Sequence, residues 1–239
     1  MEKVCIFLQE VLEGGSSIII TLEGIQGAGK SITATALLHN DFHHHDRRII
    51  ANTTLNFQYT HFDLAYFLKH IEDDELTNCD IWLDEMYQLL DSRNSVGKIN
   101  KLLTYFVVQT RKRNVDLYVC THHIDHVDKR LRRAVDIRGT CRFVSEDPCK
   151  RCGGTGEFKN DETYDAWEKI MPPNTCGRCF GEGKTGFSYT TFFNRRASTR
   201  WQRVRRIAVP APMYWNLYDT EERIALTSKQ KAVTLEDVM

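Results

Sequence analysis

Hydrophobic residues recur along the chain with two different periods. Short runs of β-branched and other apolar residues predict buried strands at 18–22, 48–53, 81–83, 115–121, 135–145, 186–194 and 203–209. Apolar residues spaced three or four apart predict helices at 32–40, 63–71 and 96–113, and shorter helices at 4–12, 125–133 and 217–224. Because strands and helices alternate through most of the chain, the pattern predicts an α/β fold with a mostly parallel central sheet whose faces are covered.

The polar segment from 39 to 48 contains the run His43, His44 and His45. The run has two interpretations, an exposed loop or a metal site. Three consecutive residues of a regular element point in different directions and cannot all face one ion. We therefore expect an exposed loop.

The chain has 239 residues, of which 41% are apolar, enough for one large domain or one domain with a small module. No stretch approaches the roughly 18 apolar residues of a membrane span, and the N-terminal segment does not resemble a cleavable signal. We therefore expect an intracellular protein without a membrane span.

The formal net charge is zero, but the charges are unevenly distributed. Six basic residues and a single acid, Asp136, occupy 129–142, and seven basic residues with no acid occupy 184–210. Such segments form either a solvated face or a groove for a polyanion.

The segment Gly24–Ser31, GIQGAGKS, matches the phosphate-binding pattern G-x-x-x-x-G-K-[ST] between a predicted strand and a predicted helix. Backbone N–H groups and the helix N-terminus make such a loop an anion site. Lys30 is expected to reach the β- and γ-phosphates, and the Ser31 hydroxyl is expected to bind Mg²⁺. The predicted nucleotide-binding residues are Gly24, Gln26, Gly27, Ala28, Gly29, Lys30, Ser31 and Ile32. The alternative is a chance glycine-rich turn.

Two acids, Asp84 and Glu85, follow the predicted strand at 81–83, in a pattern that resembles a Walker B element. We expect Asp84 to hold Mg²⁺ and Glu85 to orient and deprotonate the attacking water. The strand at 115–121 ends in Thr121 and His122. The phosphate loop and these two pairs follow parallel strands, so one edge of the sheet is expected to carry a common active site.

Four of the eight cysteines form two C-x-x-C pairs, in CKRCGGTG at 149–156 and CGRCFGEG at 176–183. Four thiolates in two close pairs suit tetrahedral Zn²⁺. We expect Cys149, Cys152, Cys176 and Cys179 to bind a structural zinc ion; the alternative is free thiols. Because predicted strands flank the pairs, we expect a zinc-binding insertion at 146–183. An ATPase core would comprise 1–145 and 184–225, and a mobile tail 226–239.

With these motifs in place, the chain from Ser17 to Arg142 resembles the viral DNA-packaging ATPases of the FtsK–HerA group of P-loop NTPases, with a weaker resemblance around the YDT at Tyr218 to Thr220. It is also similar to the Zot-like proteins of filamentous phages. The motifs concerned are GIQGAGKS, IWLDE and RKRNVDLYVCTHH. Each cysteine pair resembles the zinc repeats of DnaJ-type chaperones, but no other DnaJ signature is present, so a chaperone is not inferred.

The resemblance implies a RecA-like core with an additional strand between the phosphate-loop strand and the strand that ends in Asp84. Arg111 lies where proteins of the group have an arginine finger, which acts on the γ-phosphate held by a neighbouring subunit. The alternative is that Arg111 is simply a charged residue at a helix end. Arg113 is the second candidate for the arginine finger. Proteins of the group have a Thr-Gln pair at the end of this strand, and Thr121 matches its Thr. The resemblance therefore implies that Thr121 is a nucleotide-binding residue. His122 replaces the Gln, and its imidazole is expected to contact the γ-phosphate or the water.

The implied activity is hydrolysis of ATP with Mg²⁺, coupled to movement of double-stranded viral DNA into a capsid. The implied partners are the DNA, capsid or portal vertex proteins, and further copies of the chain in a hexameric or pentameric ring. The implied location is the host cytoplasm or the packaging vertex of the virion. Three alternatives remain open: a Zot-like assembly or secretion factor, a zinc-bearing nucleic-acid-binding switch, and a nucleotide kinase.

Overall fold

A computed structural model describes residues 17–72, 74–85, 98–157, 174–194 and 200–219. The strands are β1 (Ile19–Glu23), β2 (Arg48–Ala51), β3 (Thr60–His61), β4 (Cys79–Leu83), β5 (Val115–Thr121), β6 (Ile137–Glu146), β7 (Thr185–Asn194) and β8 (Gln202–Pro210). The α-helices are α1 (Lys30–His45), α2 (Leu64–His70), α3 (Lys98–Arg113) and α4 (Lys129–Ala134). Short 3₁₀ helices lie at Asp74–Leu76, Ile124–His126, Ala211–Met213 and Trp215–Leu217.

The eight strands form one sheet in the order β3-β2-β4-β5-β1-β6-β7-β8. The first six strands in this order are parallel, and β7 and β8 continue the sheet as antiparallel strands. The predicted α/β class with a mostly parallel sheet is therefore confirmed. Strand β5 lies between β1 and β4, at the position of the expected additional strand.

Apolar side chains pack on both faces of this sheet. One face packs against α1 and buries Trp82 and Tyr118, which are at most 1% exposed. The other face packs against α2, α3 and α4, with Phe67 and Phe106 in edge contact at a centroid distance of 5.5 Å. Since β1, β4 and β5 are covered on both sides, their sequences are continuous apolar runs rather than alternating ones.

Charged residues fasten the amino ends of the parallel strands. Asp116 accepts a hydrogen bond from the Ile18 backbone N–H at 2.8 Å, and Asp136 accepts one from the Ile19 N–H at 3.1 Å. Arg47 forms an ion pair with the buried Asp80 at 2.8 Å. This edge of the sheet is therefore occupied by structural ion pairs, opposite the edge where the strands end.

The structure differs from two of the predictions of local structure. Helix α1 continues through His43, His44 and His45, so the expected loop was wrong, although the three side chains are exposed. A polar segment can continue a helix on its solvent side without an apolar pattern. The basic helix expected at 125–133 is divided into the 3₁₀ helix Ile124–His126 and α4. The helix expected at 4–12 and the tail at 226–239 lie outside the described residues, as does the last part of the helix expected at 217–224.

Candidate active site

The phosphate loop joins β1 to α1, as the motif requires. The Ala28 N–H donates to the Ile25 carbonyl at 3.1 Å and closes the turn. Gly29, the residue before α1, has φ 84°, a left-handed conformation that favours glycine. A Cβ at Gly29 would collide with the Ser188 side chain of β7. The glycine therefore allows the helix N-terminus and the neighbouring strand to approach closely.

Lys30 is directed back onto its own loop. Its Nζ donates to the carbonyl oxygens of Gly24 at 3.0 Å and Ile25 at 3.1 Å, and the residue is 9% exposed. These carbonyls fix the ammonium group beside the N-terminus of α1, where backbone N–H groups and the helix dipole add positive potential. The loop therefore concentrates positive charge where phosphates would bind.

Ser31 and Asp84 bring the phosphate loop and the end of β4 together. The Ser31 hydroxyl donates to Asp84 Oδ2 at 3.0 Å. Burial raises the pKa of the Asp84 carboxyl, while the hydrogen bond from Ser31 and the charge of Lys30 oppose that shift. A hydroxyl and a carboxylate oxygen are the ligands that Mg²⁺ uses beside a nucleotide, so this pair suits that ion.

Asn52, which follows β2, holds the backbone of Asp84 from both sides. The Asn52 side-chain Nδ2 donates to the Asp84 backbone carbonyl at 2.9 Å, and the Asn52 side-chain Oδ1 accepts from the Asp84 backbone N–H at 2.7 Å. The next residue, Glu85, has φ 48°, an uncommon conformation for a residue with a Cβ, and its N–H donates to Asp84 Oδ1 at 3.0 Å. Asn52 therefore fixes the turn that presents both acids.

These residues surround a cavity of about 550 Å³, in the range of small-molecule sites. Sequence reasoning placed nine of its lining residues in the site: Gln26, Gly27, Gly29, Lys30, Ser31, Ile32, Asp84, Glu85 and His122. The lining also contains four residues that were not among the predicted site residues: Thr53, Phe143, Tyr218 and Asp219. The cavity at this edge of the sheet is thus formed by six segments of the chain.

Four other predicted site residues do not line the cavity. Gly24 and Ala28 lie within the loop beneath it, and the buried Thr121 hydroxyl donates to the His123 carbonyl at 3.1 Å. Arg111, near the end of α3, forms an ion pair with Asp136 at 2.8 Å. Since Asp136 precedes β6 at the amino edge of the sheet, Arg111 lies far from the cavity of its own chain.

The segment after β8 reaches the cavity beside the residues that follow β2. Leu55 and Tyr218 form an isolated antiparallel bridge, and the Asp219 N–H donates to the Thr54 carbonyl at 3.3 Å. Burial and the nearby Asp84 carboxylate raise the pKa of Tyr218, so its hydroxyl stays protonated at neutral pH. Tyr218 and Asp219 therefore lie on the same side of the cavity as the two acids.

Strand β7 is hydrogen-bonded to the phosphate loop on the side of the cavity opposite the two acids. The Ser188 hydroxyl donates to the Gly29 carbonyl at 2.9 Å. Thr33, on α1, contacts Ser188 at 2.9 Å and Thr190 at 3.0 Å through their hydroxyl oxygens. The antiparallel strands are thus joined to the N-terminus of α1 by a buried chain of hydroxyl groups.

The four predicted zinc ligands form a separate cluster between β6 and β7. The sulfur atoms of Cys149, Cys152, Cys176 and Cys179 all lie within 4.8 Å of one another, and Cys152 Sγ is 3.6 Å from Cys179 Sγ. Sulfurs around a tetrahedral zinc ion with Zn–S bonds of about 2.3 Å are separated by about 3.8 Å. The donor set and its spacing therefore fit zinc.

Backbone N–H groups also face the sulfur atoms of this cluster. The Gly156 N–H donates to Cys152 Sγ at 3.3 Å. Burial raises the pKa of the Cys152 thiol, but this bond, one from the Gly154 N–H and those from the Cys179 and Cys149 thiols lower it to about 6. The thiolate is the form that binds zinc, so the glycine-rich turns suit a metal ligand.

A P-loop followed by parallel strands, with a Ser–Asp pair and a second acid at the strand ends, defines a P-loop nucleoside triphosphatase. The sequence confirms this class, because the family "ATPase family associated with various cellular activities (AAA)" matches residues 20–142. The chain belongs to this AAA family and is an ATPase. Nucleotide is its substrate, as predicted.

Two solved structures are similar to this chain at low sequence identity. The N-terminal domain of zonular occludens toxin from Neisseria meningitidis is 13% identical; the match covers 85% of this chain and 100% of that chain, with a TM-score of 0.52. The genome packaging NTPase B204 from Sulfolobus turreted icosahedral virus 2, in complex with ATP-gammaS, is 9% identical over 81% of this chain and 99% of that chain, with a TM-score of 0.44. A search of curated proteins gives no match. The predicted likeness to Zot-like proteins is confirmed for the fold.

None of the helices in the described residues is long and apolar enough to span a membrane.

Proposed function

We propose that the protein is an ATP-driven motor that moves double-stranded DNA, with hydrolysis in the cavity beside the phosphate loop. In this proposal the loop from Gly24 to Ile32 binds the phosphates, and Ser31 and Asp84 hold Mg²⁺. Glu85 orients and deprotonates the attacking water, and Lys30 neutralises the β- and γ-phosphates. The hydrogen bond that already joins Ser31 to Asp84 supports the proposed metal site.

His122 and Thr121 have different roles in this proposal. His122 lines the cavity with the two acids and is placed to contact the γ-phosphate or the water. The Thr121 hydroxyl is hydrogen-bonded to the His123 carbonyl, so it supports the turn that carries His122. A contact of Thr121 with the nucleotide would require that bond to break.

Arg111 is proposed to act on the nucleotide of a neighbouring subunit. It lies at the edge of the sheet opposite its own cavity, and its side chain is 59% exposed while paired with Asp136. If Arg111 contacts a γ-phosphate, that phosphate must belong to another subunit, because Arg111 lies far from its own cavity. This assignment requires a ring, for which we propose a hexamer or pentamer.

The zinc cluster is proposed to have a structural role in an insertion that spans 146–183 within the core formed by 1–145 and 184–225. Four sulfur ligands leave no coordination position for water, so the ion would stabilise the fold and would not catalyse. Arg178, between the last two cysteines, forms a bidentate ion pair with Glu146 at the end of β6. This pair fixes the base of the insertion to the sheet.

The observation that carries the DNA proposal is a basic face on the antiparallel part of the sheet. Arg142 on β6 is the register partner of Tyr189 on β7, and the guanidinium carbon of Arg206 on β8 lies 4.7 Å from the centroid of the Tyr189 ring. Both arginines are exposed and lie on the face away from α1. Aromatic contacts hold a guanidinium group in place while its donors remain directed outwards, a geometry that suits phosphate oxygens.

The charge balance of this face favours a polyanion. By the strand register, this face of β6 and β8 carries four arginines, Arg138, Arg142, Arg203 and Arg206, against one acid, Glu146. Arg138 is paired with Glu23 of β1. Glu146 is neutralised by Arg178 at 2.8 Å. The basic helix α4 lies near the start of β6 and adds four cationic residues. Contacts from such residues to the DNA backbone carry no sequence information, as a motor that moves along any sequence requires.

The decisive experiment measures steady-state ATP hydrolysis with and without long double-stranded DNA, at low and moderate salt. Stimulation that fades as salt rises is expected, because phosphate contacts release counterions. Hydrolysis that is indifferent to DNA at both salt concentrations would contradict a DNA motor. It would favour a factor that acts on protein during virion assembly or secretion.

A double variant locates the DNA contact. By counterion release, each lost phosphate contact costs about eightfold in affinity at 0.1 M salt, so Arg142→Ala/Arg206→Ala should bind duplex DNA about 60-fold more weakly. The slope of log K against log salt should also decrease by about 2. Lys101→Ala removes an exposed charge from α3 and serves as the matched control. Equal DNA binding by the double variant and the wild type would exclude this face as the track.

The proposed setting is a viral packaging vertex or the host cytoplasm, with capsid or portal proteins as partners. Co-purification of the protein with a portal complex, dependent on ATP, would test that setting. An ATPase that moves DNA in the absence of any such complex would place its function elsewhere.

A further inference from the structure

The two ends of the nucleotide cavity differ in chemistry. Asp84, Glu85 and His122 follow β4 and β5, which lie on one side of the phosphate-loop strand. Tyr218 and Asp219 lie on that side as well, through their contacts with the segment after β2. Hydrolysis takes place at the γ-phosphate, which must therefore face this polar side of the cavity.

The opposite end of the cavity is formed by strand β6, on the other side of β1. Phe143 from this strand lines the cavity and is half-buried. Since the γ-phosphate faces β4 and β5, the rest of the nucleotide must extend across the N-terminus of α1 towards β6. Phe143 is the one aromatic side chain of the described lining that lies on this side.

Two glycines make room for the Phe143 ring. A Cβ at Gly29 would lie 3.5 Å from the ring atom Cδ2, so the ring is next to the start of α1. A Cβ at Gly186 would overlap the ring, at 2.9 Å from Cε2 and 3.1 Å from Cε1, with Cζ nearer still. This order of distances means that the tip of the ring points at Gly186. Because Phe143 is only half-buried and lines the cavity, part of its ring is accessible to another flat group.

We propose that Phe143 is the nucleobase-stacking residue of this ATPase. The base would lie against the face of the Phe143 ring, at the end of the cavity that is opposite the two acids. Stacking on an aromatic ring tolerates every base, because each has a π face. The subsite is therefore expected to add affinity for nucleosides in general, with weak discrimination between adenine and guanine.

The test compares a ligand that has a base with one that lacks it. Isothermal titration calorimetry would measure ADP and inorganic pyrophosphate binding, each with Mg²⁺, to the zinc-loaded full chain and to Phe143→Ala. The variant should bind ADP about 5- to 150-fold more weakly, the range for loss of a base–aromatic stack, and pyrophosphate within about twofold of wild type. Steady-state kinetics should show a raised KM for ATP with kcat retained, since the stack is equal in ground and transition states.

Two further substitutions separate stacking from packing. Phe143→Leu fills much of the ring volume without an aromatic face and should weaken ADP binding as Phe143→Ala does, whereas Phe143→Trp should bind ADP at least as well as wild type. Phe187→Ala removes a ring from β7 on the opposite face of the sheet and is the matched control. Equal losses for ADP and pyrophosphate in the Leu variant, or unchanged ADP affinity in both truncations, would overturn the proposal.

Discussion

Asn52 offers a direct test of how the active site is held together. Its side chain makes two hydrogen bonds to the backbone of Asp84, at 2.9 and 2.7 Å, and Asn52→Ala removes both. At about 1 kcal/mol each, their loss should lower the free energy of unfolding by about 2 kcal/mol. For a protein of this size the melting temperature should fall by about 4 to 8 °C.

The effect on turnover should exceed the effect on stability. Asp84 would no longer be held against Ser31, and a displacement of about 1 Å in a catalytic group can cost about 100-fold in rate. We therefore expect kcat to fall by about 100-fold, with a higher Mg²⁺ concentration needed for half-maximal activity. Calorimetry measures the melting temperature. ATP hydrolysis across a Mg²⁺ titration measures kcat and the Mg²⁺ concentration for half-maximal activity.

The control for this experiment is a variant that loses stability without touching the site. Val107, on α3, is 3% exposed and packs on the face of the sheet away from α1. Val107→Ala should lower the melting temperature by a similar amount and leave the Mg²⁺ dependence unchanged. If Asn52→Ala retained the wild-type kcat and Mg²⁺ dependence while fully folded, the conclusion that Asn52 positions Asp84 would be refuted.

Three further predictions concern the proposed roles. Glu85→Gln should bind ATP normally but hydrolyse it about 10²- to 10⁴-fold more slowly, because it lacks the general base; lost ATP binding in a filter assay would instead make Glu85 a metal ligand. Arg111→Ala and Lys30→Ala should each be inactive, and mixing them should restore part of the activity, because each supplies what the other lacks; an inactive mixture would argue against action between subunits. Chelation of zinc, checked by metal analysis, should expose 149–183 to proteases while circular dichroism shows an intact core; freshly purified, reduced protein without zinc would contradict the zinc site.

Short motifs indicated most of the cavity because their residues are contiguous in the chain. Lys30 and Ser31 lie within one loop, and Asp84 and Glu85 follow one apolar strand. Their convergence followed from the alternation of strands and helices, since parallel strands end at one edge. The cysteine cluster could also be predicted from the sequence, because the spacing of its two pairs is typical of a metal site.

The remaining site residues depend on tertiary structure. Asn52 follows a four-residue strand with no motif around it, and its role exists only because β2 pairs with β4. Phe143 reaches the cavity through the register of β6, and Tyr218 does so through a bridge to Leu55 that spans most of the chain. Neither periodicity nor spacing contains such long-range pairings, which are set by packing of the whole sheet.

The hairpin of β6 and β7 connects the cysteine cluster directly to the phosphate loop. Its outer end, where Glu146 pairs with Thr185, carries the cysteine cluster, and three residues inwards Ser188 is hydrogen-bonded to the phosphate loop at Gly29. At about 3.4 Å per residue, the two points are separated by about 10 Å of continuous strand. A load applied to the insertion would therefore pull on the carbonyl of Gly29 with no flexible joint in between.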